Sequence, residues 1–126
     1  MAAGFVLGSK GREFSYERRE RVKDLVFREI ALIMSEGNIK DTRVARAVIT
    51  RVSMSRDMSS AKVFFTHLKG GSSEPMLEGL NKLSGFFRKQ IALRLNLKKV
   101  PSIKFEPDEV LLSAHRVDDI IRRFDS

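Results

Sequence analysis

The apolar residues of this chain change period along its length, and that change narrows the folds open to it. From Tyr16 to Glu36 they recur three and four residues apart, at Val22, Leu25, Val26, Ile30, Ile33 and Met34. That spacing puts them on one face of a helix. Ser15 is placed to cap its start and Gly37 to stop it. From Ala47 to Met54 the period drops to two, which predicts a strand with Val48, Thr50, Val52 and Met54 on one face. Ala61 to Leu68 predicts a second strand, with Ala61, Val63 and Phe65 on one face and Lys62, Phe64 and Thr66 on the other. The polar connection Ser55–Ser60 is short enough for a hairpin, so the two strands are expected to be antiparallel.

Lys69-Gly70-Gly71-Ser72-Ser73 breaks the alternation. Ser73 can cap a new helix, with Pro75 in its first turn. Leu77, Leu80, Leu83, Phe86, Phe87, Ile91 and Leu95 continue at helical spacing, but the run contains Gly85. A Gly inside a helix costs roughly 1 kcal/mol relative to Ala, so Gly85 marks a kink between two shorter helices. Val100-Pro101 ends the helical region, Ser102–Glu106 alternates as a third strand, and Pro107 stops it. Asp108 to Phe124 returns to helical period. The predicted order is α-β-β-α-α-β with an extra C-terminal helix. The α+β class follows, with a three-stranded sheet, helices on one face, and the third strand expected beside the first. Residues 1–14 lack periodicity and are expected to be a flexible leader. Residues 15–107 form the domain, and 108–126 a helix packing on the domain or on a partner.

Charge bears on function. The 126 residues hold 24 Lys and Arg against 16 Asp and Glu, a formal net charge of +8. A folded domain with that excess attracts polyanions. The absence of Cys excludes disulfides, thiolate chemistry and Cys-ligated zinc. No stretch approaches the ~20 apolar residues of a membrane span, and Phe5-Val6-Leu7 is too short for a secretory signal. A cytoplasmic protein without membrane contact is expected. His67 and His115 have no ligand neighbours at metal spacing. The pairs Asp108-Glu109 and Asp118-Asp119 are helix neighbours that point apart. With no P-loop and no nucleophile–base set, neither an enzyme nor a cofactor is expected. Phe65, Phe86, Phe87 and Phe105 lie on apolar periodicities and are expected in the core, whereas Phe64 faces the other side of its strand.

The element order is the layout of a type II KH domain. Such domains ordinarily clamp nucleic-acid backbone with a Gly-x-x-Gly loop between the paired helices. Here that junction reads Lys82-Leu83-Ser84-Gly85-Phe86, and the only Gly-x-x-Gly is Gly8-Ser9-Lys10-Gly11 in the leader. A kink at Ser84-Gly85 in place of the loop resembles the bacterial ribosome-binding factor A family, which has Ala-x-Gly there; this chain has Leu83 at the first position. The resemblance extends in order through Arg21-Val22 and Glu29-Ile30-Ala31-Leu32-Ile33, Ile39-Lys40-Asp41-Thr42-Arg43, Val52-Ser53-Met54-Ser55-Arg56-Asp57 with Ala61-Lys62-Val63, Ser84-Gly85-Phe86-Phe87-Arg88, Leu93-Arg94-Leu95 and Val100-Pro101.

It implies a factor for maturation of the small (30S) ribosomal subunit. Such a factor binds free subunits near the 5′-terminal helix of 16S rRNA and assists late assembly and pre-rRNA processing. It implies the 30S subunit and 16S rRNA as partners, alongside other assembly factors such as a maturation GTPase, and a monomeric state.

The expected RNA contacts are the kink residues Lys82, Ser84 and Gly85, and the cations after it, Arg88, Lys89, Arg94, Lys98 and Lys99. Arg43, Arg46 and Arg56 in the connectors flanking the first strand join them, since Arg can fork onto a phosphate. The first-helix cations from Arg18 to Arg28 alternate with Glu17, Glu20 and Asp24, a pattern that suits pairing within the helix. The rival readings are a protein–protein module docking through the C-terminal helix and a small RNA-processing enzyme.

Overall fold

The computed structural model describes residues 7–37, 39–68 and 72–110, with side chains from residue 16 onward. In chain order it contains α1 (Leu7–Ser35), a 3-10 turn (Thr42–Val44), β1 (Ala47–Met54), β2 (Ser60–His67), α2 (Ser73–Lys82), α3 (Ser84–Leu95) and β3 (Ser102–Pro107). The predicted C-terminal helix beyond residue 110 and the break at 69–71 lie outside the described residues.

α1 starts at Leu7 rather than near Tyr16, so Ser15 is inside the helix and not its cap, and residues 7–14 of the expected leader are helical. Apolar periodicity reports burial, not helicity, and this stretch has no core stripe. It also has no Pro, and a Gly raises the cost of a helix without breaking it. Further along, Val26, Ile30 and Ile33 are fully buried, and Val22 and Met34 pack against them. Gly37, at φ +74°, ends the helix in the left-handed conformation that favours glycine.

The sheet order is β1-β2-β3. β1 and β2 are antiparallel, with Val52 opposite Val63 and Met54 opposite Ala61. β3 runs parallel to β2, with Ile103 beside Ala61 and Phe105 beside Val63. The expectation that β3 lies beside β1 is therefore corrected. A parallel pair needs a long crossover, and α2 with α3 supplies it. Those helices pack beneath β3 while α1 packs beneath β1, so β3 closes the sheet on the side its own helices cover.

A bulge at Thr50 changes which face β1 presents. Register shifts between Ile49 and Arg51, so Ile49 and Val52, three apart, both point into the core while Val48 is exposed. The extra residue of a bulge lets two inward side chains stand an odd number apart. The outward Thr50 hydroxyl donates to the Asp108 carboxylate at 2.7 Å, and Asp108 is buried.

The core joins both layers: Phe65, Phe87, Phe105, Leu80, Met76 and Ile91 are buried beside the α1 stripe. Each such side chain contributes roughly 1.5–3 kcal/mol of burial. Phe87 and Phe105 meet at 5.2 Å between ring centroids, tilted by 59°, a favourable aromatic geometry. Phe86, expected in the core, is 38% exposed. The break before α3 turns it outward, where it meets Phe87 edge to face at 5.6 Å between ring centroids.

Candidate nucleic-acid interface

The break between α2 and α3 falls at Leu83, and Leu83 N–H donates to the Leu80 carbonyl to close α2. Ser84 and Gly85 open α3. Nothing lies within 4 Å of a methyl built on Gly85, and its φ is not positive. Neither packing within the chain nor backbone strain requires glycine there. Gly79 in α2 is the contrast: a methyl there would lie 3.0 Å from Val44 Cγ1 and 3.3 Å from Asp41 Oδ2. Gly79 is a packing residue that periodicity did not single out, since a missing side chain leaves no mark on an apolar stripe.

Cations gather around the break. Lys82, Arg88 and Lys89 are exposed. Arg88 donates to the Val100 carbonyl at 3.3 Å, which ties the Lys98–Lys99 connector to the start of α3. Just after that connector, Ser102 N–H donates to the Ser59 carbonyl at 2.9 Å, which sets the start of β3 beside the β1–β2 hairpin tip. Arg43 reaches the same neighbourhood through acid: it pairs with Asp41 at 2.7 Å and Glu78 at 3.7 Å, and Glu78 pairs with Lys82 at 3.7 Å. The Arg43 guanidinium, bonded to the Asp41 carboxylate, pushes that carboxyl down to about 2.

Other expected residues stand apart. Arg94, ten residues beyond Ser84, lies about 15 Å along α3 at 1.5 Å per residue. It grips Glu36 through two bonds of 2.8 and 2.9 Å and reaches Glu29 at 3.5 Å. Those contacts hold the end of α3 against α1, and they lower the Glu36 carboxyl. Arg46 and Arg56 stand at opposite ends of β1. Arg56 borders an open hollow between α1 and β1 that also includes Arg19, Lys23 and Arg51. Arg51 was not anticipated, because a cation on a strand reads as ordinary solvent-facing alternation. It lies 3.8 Å from the Phe64 ring centroid, a cation–π stack. Among the described residues no group of three or more His, Cys, Asp or Glu could hold a metal ion. Among them, too, no helix is long and apolar enough to cross a membrane.

The fold and the break define an α+β domain of KH-like layout that carries a basic helix junction where the Gly-x-x-Gly clamp would sit. The family model described as Ribosome-binding factor A matches residues 18–121, and the chain belongs to that family. It is 41% identical to ribosome-binding factor A of Syntrophus aciditrophicus over 107 residues, covering 84% of this chain and 86% of the relative. The crystal structure of ribosome-binding factor A from Thermus thermophilus superposes with a TM-score of 0.64 at 19% identity, over 71% of this chain and 93% of that one. A homology model of the Thermus thermophilus factor, fitted into the cryo-EM map of its 30S complex, covers 68% of this chain and 90% of that one, with a TM-score of 0.58 at 20% identity. At those identities the two structures establish the fold.

Proposed function

We propose that this chain binds the free small ribosomal subunit through folded 16S rRNA, with the Gly85 break as its contact point, and assists late subunit maturation without catalysis. The observation that carries the reading is Gly85, a helical glycine with open space beyond it, flanked by exposed Lys82, Arg88 and Lys89. A missing side chain with no internal use suits the close approach of another backbone, and the surrounding cations suit phosphates. Family membership supplies the ribosome, and the Thermus thermophilus factor fitted into a 30S map supports the small subunit as partner.

The finer reading places contact near the 5′-terminal helix of 16S rRNA, in step with pre-rRNA processing. The protein would act in the cytoplasm as a monomer, beside other assembly factors such as a maturation GTPase. A factor of this kind shifts RNA structure only by binding one arrangement more tightly than another. Gradient sedimentation of a lysate tests the reading. Co-migration with free small subunits, removed by raised salt, is the expected result. Migration with joined ribosomes, or with no ribosomal particle, would overturn it.

A further inference from the structure

The hollow between α1 and β1 lies on the edge of the sheet away from β3 and the Gly85 break. We propose that it is a second RNA subsite, taking one single-stranded nucleotide with its phosphate among Arg19, Lys23 and Arg56. This deepens the RNA-binding reading above and rests on it.

The lining comes from separate elements: Arg19, Glu20 and Lys23 from α1, Arg51 to Met54 from β1, and Arg56 from the hairpin. Arg19 and Lys23, four apart, share one helix face. Within the lining these four cations meet one carboxylate, Glu20, and that carboxylate is engaged by Lys23. Arg51 is answered from outside the lining, by Asp108 at 3.3 Å. Neither Arg19 nor Arg56 has a carboxylate partner among the described residues; Arg19 only leans over the Tyr16 ring at 5.5 Å. Their state differs from that of Arg43 and Arg94, whose charges acids already answer. Cations held together without enough counter-charge repel one another, and a bound phosphate relieves that repulsion.

Shape and chemistry favour a nucleotide over a bare anion. The hollow measures about 520 Å³, within the roughly 300–1,000 Å³ of small-molecule sites. Its wall includes the half-buried Met54, an apolar contact beside the charges, and Ser53 adds a hydroxyl. β1 is an edge strand, which leaves backbone N–H and C=O groups unpaired on that side. Arg51 bounds the hollow through its place on β1, while its guanidinium lies over Phe64 on the outward face of the sheet. The β1 and β3 edges are two strand spacings apart, about 10 Å, so one RNA chain can reach both the hollow and the basic break by crossing the hairpin tip.

The test is fluorescence anisotropy of an octauridylate probe over a salt series, with wild type, R19Q/R56Q and the control R21Q/R28Q. Arg21 and Arg28 lie on the far side of α1 at 100° per residue, so the control removes equal charge away from the hollow. R19Q/R56Q is expected to flatten the log–log salt slope by about 0.7, the value for one phosphate contact on a single strand, while the control keeps the wild-type slope. Hydrogen exchange on the wild type is expected to show probe-dependent protection in 51–56. A hollow variant indistinguishable from the control, or protection confined to 84–100, would overturn the subsite and leave the RNA-binding reading standing. A flat wild-type slope on this single-stranded probe would also overturn the subsite, whereas the folded-RNA reading stands or falls on the sedimentation result.

Discussion

A methyl added to Gly79 would be wedged between Val44, itself buried, and Asp41, which Arg43 already pins. Both neighbours must give by a few tenths of an ångström, so Gly79→Ala is expected to destabilise by up to about 2 kcal/mol, overpacking offset by about 1 kcal/mol of helix propensity. Gly85→Ala has open space and a helical φ, so it is expected to keep or raise stability, by up to about 1 kcal/mol. The same change places a methyl where RNA backbone is proposed to approach, so subunit binding should weaken in a protein that folds at least as well. Urea denaturation paired with subunit pelleting separates the two glycines. A Gly85→Ala protein that binds like wild type would show that the break is not the contact. Both glycines sit in helices and look alike in sequence. The difference lies in what stands opposite each, and that depends on the 3-10 turn reaching back under α2.

Element spans were legible because the core imposes its period on the residues that face it. β1 is found at its predicted bounds, β2 and β3 within a residue of theirs, and the kink divides α2 from α3 as Gly85 suggested. The bulge was not legible: Val48, Thr50 and Val52 alternate without a break, whereas the buried Ile49 and Val52 stand three apart, and only the pairing with β2 shows it. Strand order was equally hidden, since it depends on which helix covers which strand. Between the elements, two connectors are held by carboxylates. Asp41 accepts from the Arg43 side chain and backbone at the 3-10 turn. Asp57 accepts from the Ser59 hydroxyl at 2.7 Å, the Ser59 N–H at 3.1 Å and the Ser55 hydroxyl at 2.9 Å at the hairpin tip. These bonds hold both carboxyls near 2 against an ordinary 3.8. Depressed carboxyls stabilise the fold above their unfolded value, and that contribution is lost as pH falls through the folded one. The melting temperature is expected to drop between about pH 4 and pH 2, and D41N/D57N to drop less over the same window. An unchanged slope in the double variant would show that other carboxylates govern acid unfolding.

Over the whole molecule the cations divide by partner, and sequence could not show the division because every Arg and Lys in it carries the same charge. Arg94 bridges α3 to Glu29 of α1 and to Glu36 just past its end, 58 positions away, and so ties α3 to α1. Lys89, Lys98 and Lys99 are exposed, with no carboxylate within ion-pair distance among the described residues. Paired cations help hold the layers together, while unpaired ones remain available to phosphates. Arg94→Gln is therefore expected to lower the melting temperature and leave the salt slope of subunit binding unchanged. K89Q/K98Q/K99Q is expected to leave stability within about 0.5 kcal/mol per site, as exposed surface changes do. Its salt slope should flatten by roughly 2, from about 0.7 per contact. Thermal melts and salt-titrated binding on the same preparations make the comparison. If Arg94→Gln flattened the slope without moving the melt, Arg94 would belong to the RNA face, and its carboxylate grip would be a resting contact exchanged for phosphate on binding. If the triple variant melted early instead, the connector after α3 would be a structural strap, and the RNA surface would shift toward Lys82 and Gly85.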